Sequence, residues 1–292
     1  MRILVTGGSG RVGREVVKAL HPDHEVIVFD RQQPPEPFPQ GVRLVLGDHE
    51  RAAHVYDAVG GGVYGSARVD AIIHLSAIPA PGRHAEEEVF RTNVMATWNV
   101  LEAATLFGVQ RVVFASSINV LGFGFCTRPF NPEYLPIDEQ HPNKPQDSYS
   151  LSKVVGEEIL AAFTRKTGIP TIAIRPSAVL VPEENPETFR RGIETLSYWR
   201  SLWTYSDRRD LAQAFRLAVE SNLPGFEAFY VVSPDPVSKE PLATVFPRFY
   251  PGTEQIAAGL TEGKNAVSIE KARRLLGYAP RYSWRNVPEI AG

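Results

Sequence analysis

The sequence lacks the residues that would place it in several common protein classes. It has one cysteine, Cys126, among 292 residues, which excludes an internal disulfide and a metal site of several thiolates. Its seven histidines are scattered without the spacing of zinc ligands, so no metal site is predicted. The net charge is -2 with both signs interspersed, and the first apolar run, Ile3 to Val5, is too short for a signal peptide or membrane span. We therefore expect a cytoplasmic protein that binds neither nucleic acid nor membrane.

Short apolar runs rich in valine and isoleucine alternate with longer amphipathic stretches. Continuously apolar runs predict strands that are buried on both faces, as in a parallel sheet covered by helices. The alternation predicts an α/β fold with a doubly wound, Rossmann-type parallel sheet. The predicted strands are 3–5, 26–29, 42–46, 71–75, 112–115, 171–174 and 229–232, and the predicted helices are 11–20, 92–107, 149–165, 210–219 and 269–276.

The alternation of strands and helices changes after Ile174. Prolines interrupt the chain there, and a segment rich in tryptophan and tyrosine follows before the next predicted helix. We expect residues 1–178, completed by 206–234, to form the sheet domain. Residues 179–205 and 235–292 are predicted to form a small C-terminal substrate lobe.

A glycine-rich turn follows the first predicted strand and opens the first predicted helix. Glycines in this position allow a tight turn, a close approach of the backbone to a pyrophosphate and close packing of the helix on the strand. The start of the helix supplies free N–H groups for the phosphates. The turn therefore predicts a nicotinamide dinucleotide site that includes Gly7, Gly10, Arg11, Val12 and Gly13.

Asp30 ends the second predicted strand, and Asp48 follows the third. Asp30 lies where a carboxylate accepts hydrogen bonds from both hydroxyls of the adenosine ribose and repels a 2′-phosphate, which favours NAD over NADP. The adjacent Arg31 would soften that preference, and a plain polar end of a strand is the alternative for Asp30. Asp48 is interpreted either as a contact to the adenine or as a helix N-cap.

Tyr149 and Lys153 are four residues apart at the start of a predicted helix, so both side chains share one face. A free tyrosine is a poor base at neutral pH, and an ammonium about 4 Å away would stabilise its phenolate. Ser117 follows a buried strand at the sheet edge where such folds bind ligands, and it would polarise a substrate oxygen. A tyrosine and a lysine at this spacing also occur on ordinary helix surfaces.

With these residues in order, the chain resembles the extended short-chain dehydrogenase/reductases, specifically their NAD-dependent epimerase/dehydratase branch. The resemblance implies that Ser117, Tyr149 and Lys153 are catalytic and that Lys153 also holds the nicotinamide ribose. It adds Leu75, Ser76, Ala77 and Asn93 to the cofactor residues, and it suggests Ser76, Ser117, Asn119, Arg175 and Ser177 for the substrate. The matching motifs are TGGSGRVG at 6–13, Asp30, Gly47-Asp48, HLSA at 74–77, Asn93, FASSINVLG at 114–122, DSYSLSK at 147–153, IRP at 174–176, DRRD at 207–210 and LLGYAP at 275–280.

Two departures from the family pattern affect the predicted substrate. Leu121 replaces the family's usual aromatic residue, so an aromatic contact near the substrate is expected to be lost. The segment between Arg175 and Asp210 is short, and in this respect the chain is similar to uronate dehydrogenases. A free sugar or sugar acid is therefore the predicted substrate. Arginines would bind its carboxylate and aromatic rings would stack on the sugar. The alternative is that these arginines only form a solvated helix face. The side chains considered are Arg190, Arg191 and Arg200 with Trp199, Trp203 and Tyr205.

The leading functional hypothesis is thus an NAD-dependent oxidation or reduction of a CH–OH group, with Tyr149 as the general base. A nucleotide-sugar epimerase or dehydratase with tightly bound NAD is the alternative, and a non-catalytic NAD sensor is a third. Predicted helices 92–107 and 149–165 are apolar on more than one face. One face should pack on the sheet and the other needs a cover, so a homodimer of the family's usual kind is expected.

Overall fold

The computed structural model describes residues 1–61 and 68–291, and its framework is a parallel sheet. The strand order is β3-β2-β1-β4-β5-β6-β9, so the chain starts inside the sheet, builds to one edge and then builds to the other. This is the order of a doubly wound fold, and the predicted fold class is confirmed. The strands are β1 (Arg2–Thr6), β2 (Glu25–Asp30), β3 (Arg43–Leu46), β4 (Ala71–His74), β5 (Arg111–Ala115), β6 (Thr171–Pro176) and β9 (Phe226–Val231).

Helices cover both faces of the sheet. They are α1 (Arg11–Leu20), α2 (Ala52–Gly60), α3 (Glu86–Phe107), α4 (Ser148–Thr167), α6 (Arg208–Glu220) and α9 (Glu270–Leu276). Alternate strand residues enter two apolar layers. Val5 packs in one layer with Phe215 of α6, and Leu4 packs in the other with Val100 of α3 and Leu160 of α4. Within the described residues, no helix is both long and apolar enough to cross a membrane.

A smaller set of elements packs beside the sheet. It contains a second parallel pair, β7 (Ala178–Leu180) with β8 (Tyr205–Asp207), and the helices α5 (Pro186–Glu194), α7 (Leu242–Phe249), α8 (Glu254–Ala257) and α10 (Pro288–Ala291). One apolar cluster here contains Trp203 and Phe246, and another contains Phe189 and Trp284. The first cluster also takes residues between 118 and 137, which the sequence analysis assigned to the sheet domain.

The observed elements extend beyond several predicted ones. α3 begins at Glu86, six residues before its predicted start, because three glutamates in its first turn suit the positive end of a helix but carry no apolar pattern. The predicted ends of α3 and α9 at residues 107 and 276 are confirmed, and α4 ends two residues later than predicted; all three helices stop at left-handed C-cap glycines, Gly108, Gly168 and Gly277. The pair β7–β8 was not predicted, and β8 crosses the predicted boundary between residues 205 and 206.

The two edges of the sheet are protected in different ways. β3 is only four residues long. At the β9 edge the backbone N–H of Tyr230 donates to the carboxylate of Glu139 at 2.9 Å, and Lys271 pairs with Glu227 at 2.7 Å. An edge N–H that is bonded to a side chain is not open to a further strand.

Candidate active site

A cavity of about 780 Å³ opens beyond the carboxyl ends of β1, β2 and β4, and we call it the sheet-edge cavity. One wall consists of the glycine-rich turn and the residues that follow β2 and β4. The opposite wall comes from residues 179–198 and Arg208. Its volume is within the range of small-molecule sites. The predicted cofactor residues that line it are Gly7, Gly10, Arg11, Val12, Gly13, Asp30, Leu75, Ser76 and Ala77.

Two glycines of the turn occupy positions that a side chain would block. Gly7 has φ +71°, and a Cβ there would lie 2.9 Å from the backbone nitrogen of Ser76. A Cβ on Gly13 would overlap the carbonyl oxygen of Gly7 and lie 2.5 Å from the Cα of Gly8. No side chain caps the start of α1, whose N-cap is Gly10. The turn thus brings backbone and uncapped helix N–H groups to the cavity, which suits a pyrophosphate.

Asp30 fixes the turn from the end of β2. Its carboxylate accepts hydrogen bonds from the backbone N–H of Ser9 at 3.0 Å and of Gln32 at 3.1 Å. Those two bonds leave acceptor positions on the carboxylate, which is partly exposed and lines the cavity. This is the arrangement that a ribose with two free hydroxyls requires.

Asp48 does not line the cavity. Its carboxylate turns to Arg31 and to the backbone N–H of Glu50. The N-cap alternative for Asp48 is wrong, because α2 begins at Ala52 and its N-cap is Arg51. A contact from Asp48 to an adenine remains a prediction.

His49 faces the cavity from this turn and was missed in the sequence analysis. Its Nε2 lies 2.7 Å from the hydroxyl of Ser76, and burial lowers its pKa. The available signal was its place directly after Gly47-Asp48, just beyond the predicted strand 42–46.

Asn93 stands behind the wall that Ser76 and Ile78 form. Its side chain accepts from the backbone N–H of Ile78 at 2.8 Å and donates to the carbonyl of the same residue at 3.1 Å. It also donates to the hydroxyl of Ser152 in α4 at 3.0 Å. Asn93 therefore links the cavity wall to the helix that carries Tyr149, and it does not itself line the cavity.

Ser117, Tyr149 and Lys153 come together where β5 ends against α4. All three are nearly buried, at 5%, 7% and 3% exposure. Asp147 caps α4 by accepting from the backbone N–H of Ser150 at 2.9 Å, which fixes the start of the helix. Lys153 Nζ donates to the carbonyl oxygen of Ala115 at 2.7 Å. The helix and the strand thus hold a hydroxyl, a phenol and an amine in one buried cluster.

Burial dominates the ionisation of the phenol and the amine. It raises the pKa of Tyr149 to about 12, although a hydrogen bond with Ser117 opposes the shift. It lowers the pKa of Lys153 to about 7, although the carboxylate of Glu157 opposes that shift. The expected distance of about 4 Å between the ammonium and the phenol oxygen stays a prediction. Lys153 Nζ lies 5.7 Å from the centre of the Tyr149 ring, and burial favours the neutral form of both groups.

An aromatic contact expected to be lost is present in another form. Phe125 packs edge-on against the ring of Tyr149, with 6.1 Å between the ring centres. Leu121 itself is fully buried in the apolar cluster that contains Trp203 and Phe246. The aromatic neighbour of Tyr149 therefore comes from four residues further along the chain.

Arg175 and Ser177 differ from their predicted role in substrate binding. The guanidinium of Arg175 is buried and donates to both oxygens of Glu157, at 2.9 and 2.6 Å, and to the hydroxyl of Tyr230 at 3.2 Å. The hydroxyl of Ser177 donates to the carbonyl of Thr204, and its backbone N–H donates to the hydroxyl of Ser206, which joins the start of β7 to β8. Both side chains satisfy buried polar groups, and neither lines the sheet-edge cavity.

Asn119 is the second residue of a 3-10 turn, Ile118–Leu121, that follows β5. Its backbone N–H donates to the hydroxyl of Ser117 at 3.1 Å, and its side chain lies against Gly124. It is partly exposed beside the catalytic cluster. This position is compatible with the predicted contact to a substrate.

The lobe wall of the cavity contains residues that the sequence analysis did not single out. Phe189, Thr188 and Tyr198 supply its surface, and Glu184 pairs with Arg208 beside the start of α1. Arg208 also lies 3.9 Å from Glu15 of α1. Thr188 and Phe189 lie in α5 and Tyr198 in a 3-10 turn, and the sequence analysis predicted no element between residues 179 and 205, so it could not place these side chains.

The lobe arginines and aromatics lie elsewhere. Arg190 and Arg191 are exposed on α5, and Arg200 donates to the carbonyl of Cys126 while it packs on the Trp199 ring. Trp203 and Tyr205 are fully buried, so the expectation that they stack on a sugar is wrong. For Arg190 and Arg191, the structure agrees with the solvated-face alternative.

Comparisons with known proteins agree with this geometry. A model of the NAD dependent epimerase/dehydratase family matches residues 3–222. An L-arabinose 1-dehydrogenase (NAD(P)(+)) of Haloferax volcanii is 30% identical over 228 residues, which are 76% of this chain and 84% of that protein. A uronate dehydrogenase of Pseudomonas putida is 30% identical over 205 residues, which are 68% of this chain and 67% of that protein.

A solved structure extends the likeness over the whole chain. A short-chain dehydrogenase/reductase superfamily protein from Agrobacterium tumefaciens with bound NAD has a TM-score of 0.73 and 25% identity, and the match covers 100% of this chain and 96% of that one. The predicted cofactor and enzyme class are thereby confirmed, and this chain is an NAD-dependent enzyme of the short-chain dehydrogenase/reductase type. It belongs to the NAD dependent epimerase/dehydratase family.

Proposed function

We propose that this enzyme oxidises a CH–OH group of a free sugar or sugar acid with NAD, and that Tyr149 is its general base. The observation that carries the proposal is the buried cluster of Ser117, Tyr149 and Lys153 where β5 meets α4. The sheet-edge cavity, with its uncapped helix start and the Asp30 carboxylate, provides the dinucleotide site.

The cofactor fits the residues that form the cavity. The backbone of Gly7, Gly10 and Gly13 and the first N–H groups of α1, at Arg11 and Val12, hold the pyrophosphate. Asp30 accepts hydrogen bonds from the adenosine ribose, and Asp48 is proposed at the adenine. Leu75, Ser76 and Ala77 line the middle of the cavity, Asn93 holds their loop through Ile78, and Lys153 binds the nicotinamide ribose.

The reaction needs one proton and one hydride to leave the substrate. When bound, NAD supplies a nicotinamide ring that accepts the hydride from the substrate carbon. Ser117 donates a hydrogen bond to the substrate oxygen, and Tyr149 takes the hydroxyl proton as the C=O bond forms. Because burial holds the pKa of Tyr149 near 12, the positive nicotinamide ring and a protonated Lys153 must both favour the phenolate during turnover.

The substrate class rests on the relatives and on the lobe. Relatives named for arabinose and uronate oxidation match most of this chain, and the segment between β7 and β8 holds one short α-helix, α5, and two 3-10 turns. Ser76, Ser117 and Asn119 are the proposed substrate contacts. We leave Arg175 and Ser177 out of the proposed contacts, because their side chains are bonded to buried partners.

The test is an assay of NADH formation with glucuronate, galacturonate and L-arabinose, run beside an assay of UDP-sugar interconversion. We expect NADH to form with at least one free sugar or sugar acid. A UDP-galactose 4-epimerase structure has 26% identity and a TM-score of 0.69 to this chain. The UDP-sugar assay therefore tests the epimerase alternative directly. Interconversion of UDP-sugars without net NADH, and with no oxidation of any free sugar, would reject the proposal and favour the epimerase.

We also propose that the enzyme is a cytoplasmic homodimer, joined through α3 and α4. These two helices pack on each other, and large apolar side chains remain exposed on them at Met95, Trp98 and Leu151, each more than 40% exposed. Exposed apolar side chains clustered on neighbouring helices are typical of a protein interface.

A further inference from the structure

Arg31 is the cationic side chain next to Asp30 at the adenosine end of the sheet-edge cavity, and it lines that cavity. An arginine in this place ordinarily accepts the 2′-phosphate of NADP. Here it is already engaged. Its Nη2 donates to Asp48 at 2.5 Å and to Glu50 at 2.7 Å, and its Nε donates to Asp48 at 3.1 Å.

The two carboxylates are themselves fixed in place. The carboxylate of Asp48 accepts from the backbone N–H of Glu50 at 3.0 Å. Glu50 accepts from the hydroxyl of Thr92 at 3.0 Å and pairs with Arg91 of α3. Although burial opposes it, these hydrogen bonds and Arg31 lower the pKa of both carboxyls, so both are ionised at neutral pH. Glu50 is only 19% exposed, which reduces its screening by solvent.

We propose that Asp48 and Glu50 determine coenzyme choice by holding Arg31 away from the 2′-phosphate position. A 2′-phosphate would approach the Asp30 carboxylate while the nearby Arg31 guanidinium is shared between Asp48 and Glu50. A ribose with a free 2′-hydroxyl meets no such cost, because it needs only the Asp30 carboxylate. The arginine that would soften the NAD preference is thus neutralised within the protein.

This inference rests on the proposed dinucleotide site, and it is tested by binding alone. Dissociation constants of NAD⁺ and NADP⁺ are measured by calorimetry for the parent, Glu50→Gln, Asp48→Asn and the double variant. We expect the preference for NAD⁺ over NADP⁺ to fall at least tenfold in the double variant and several-fold in Glu50→Gln, because Arg31 is released. Adding Arg31→Ala to the double variant should remove the gain in NADP⁺ affinity.

A matched control separates this effect from a general loss of negative charge. Glu87→Gln removes one charge from the same cluster, since Glu87 pairs with Arg91 at 2.9 Å, but Glu87 has no bond to Arg31. It should change the coenzyme preference less than twofold. Asp48→Asn could weaken the binding of both coenzymes, because Asp48 is also proposed to contact the adenine. Glu50 does not line the cavity, so the coenzyme preference of Glu50→Gln tests the inference in that case too.

Each outcome has a distinct meaning. A parent that binds neither dinucleotide contradicts the proposed site itself. A parent that binds NAD⁺, with the same preference in Glu50→Gln and in the double variant, overturns only the present inference. A gain in NADP⁺ affinity that survives Arg31→Ala also overturns it, because the released arginine would then not be the cause.

Discussion

Tyr149 is the side chain on which the proposed chemistry depends most directly. Replacement by phenylalanine removes the ionisable hydroxyl and keeps the ring that packs against Phe125. We expect the Tyr149→Phe variant to lose about 10² to 10⁴-fold in kcat, the usual contribution of general acid–base catalysis. Steady-state kinetics measures this loss, with the substrate that the NADH assay identifies.

NAD⁺ binding is the internal check on that variant, because the lost hydroxyl is not among the groups that hold the dinucleotide in the cavity. The dissociation constant should stay within about threefold of the parent. Tyr56→Phe is the matched control, since Tyr56 bonds Glu102 on α3 and does not line the cavity. Near-normal turnover in Tyr149→Phe would remove Tyr149 from the mechanism.

The buried amine of Lys153 should make the stability of the protein depend on pH. Burial lowers its pKa from 10.5 to about 7, so between pH 7 and 10.5 the unfolded chain binds more protons at this site than the folded chain. The cost of the buried ammonium is therefore complete below pH 7 and declines as the pH rises. Relative to Lys153→Met, the parent should gain stability from pH 7 to 9, by at most about 1.4 kcal/mol per pH unit.

Urea denaturation of both proteins at several pH values measures that difference. Lys166→Met is the control, because Lys166 is exposed in the last turn of the same helix. A stability difference between parent and Lys153→Met that is constant from pH 7 to 9 would contradict the predicted shift.

The sequence was sufficient to predict residues whose role follows from backbone position. Gly7, Gly13 and Asp30 lie where the turn and the strand end required them. It was insufficient for Arg175, because the partner that neutralises it, Glu157, is eighteen residues away and is identified only by the packing of α4 on β6. It was also insufficient for Arg31, whose carboxylate partners follow a different strand.

At the scale of elements, the close contact between the first turn and α1 is the feature most sensitive to substitution. Gly13→Ala would place a Cβ against backbone atoms of Gly7 and Gly8, which cannot move aside as a side chain can. We expect a loss of about 1 to 3 kcal/mol in stability, as for other overpacked sites, and at least a tenfold weaker NAD⁺ affinity.

Gly259→Ala is a suitable control for the same chemical change. A Cβ there meets nothing within 4 Å, and Gly259 does not have a positive φ. Its stability should stay within about 0.5 kcal/mol of the parent. Urea denaturation and NAD⁺ calorimetry compare the two variants, and equal behaviour would show that the turn tolerates a side chain.

Elements with a strong apolar pattern were predictable, and short ones were not. β4 and β5 are continuous apolar runs, so their positions followed from composition. β7 has three residues, two of them partly buried and one exposed, and its partner β8 lies beyond an intervening helix. Such pairing is fixed by long-range contacts, among them the hydrogen bonds of Ser177, which no local pattern reports.

At the scale of the whole molecule, the proposed dimer depends on the exposed apolar face of α3 and α4. Met95→Glu places a charge in that face, and burying an unpaired charge is costly. We expect the parent to have twice the chain mass by light scattering, and Met95→Glu to dissociate at least tenfold more readily. Lys264→Glu introduces the same carboxylate on an exposed turn of the lobe and should remain dimeric. A parent that is monomeric at working concentration would contradict the proposal.

The bond from the Tyr230 N–H to Glu139 has a consequence for how the protein fails under heat. Glu139 lies two residues after Ile137, which is bridged to Val267 in the C-terminal part of the chain. Loosening of the segment around Glu139 before the sheet melts would uncover β9, an apolar strand of six residues, while the rest of the fold persists. Edge-to-edge pairing of such strands is the usual start of aggregation. Thermal inactivation is therefore expected to become irreversible and dependent on protein concentration at the temperature where that segment detaches. This temperature should lie below the temperature at which the sheet itself unfolds.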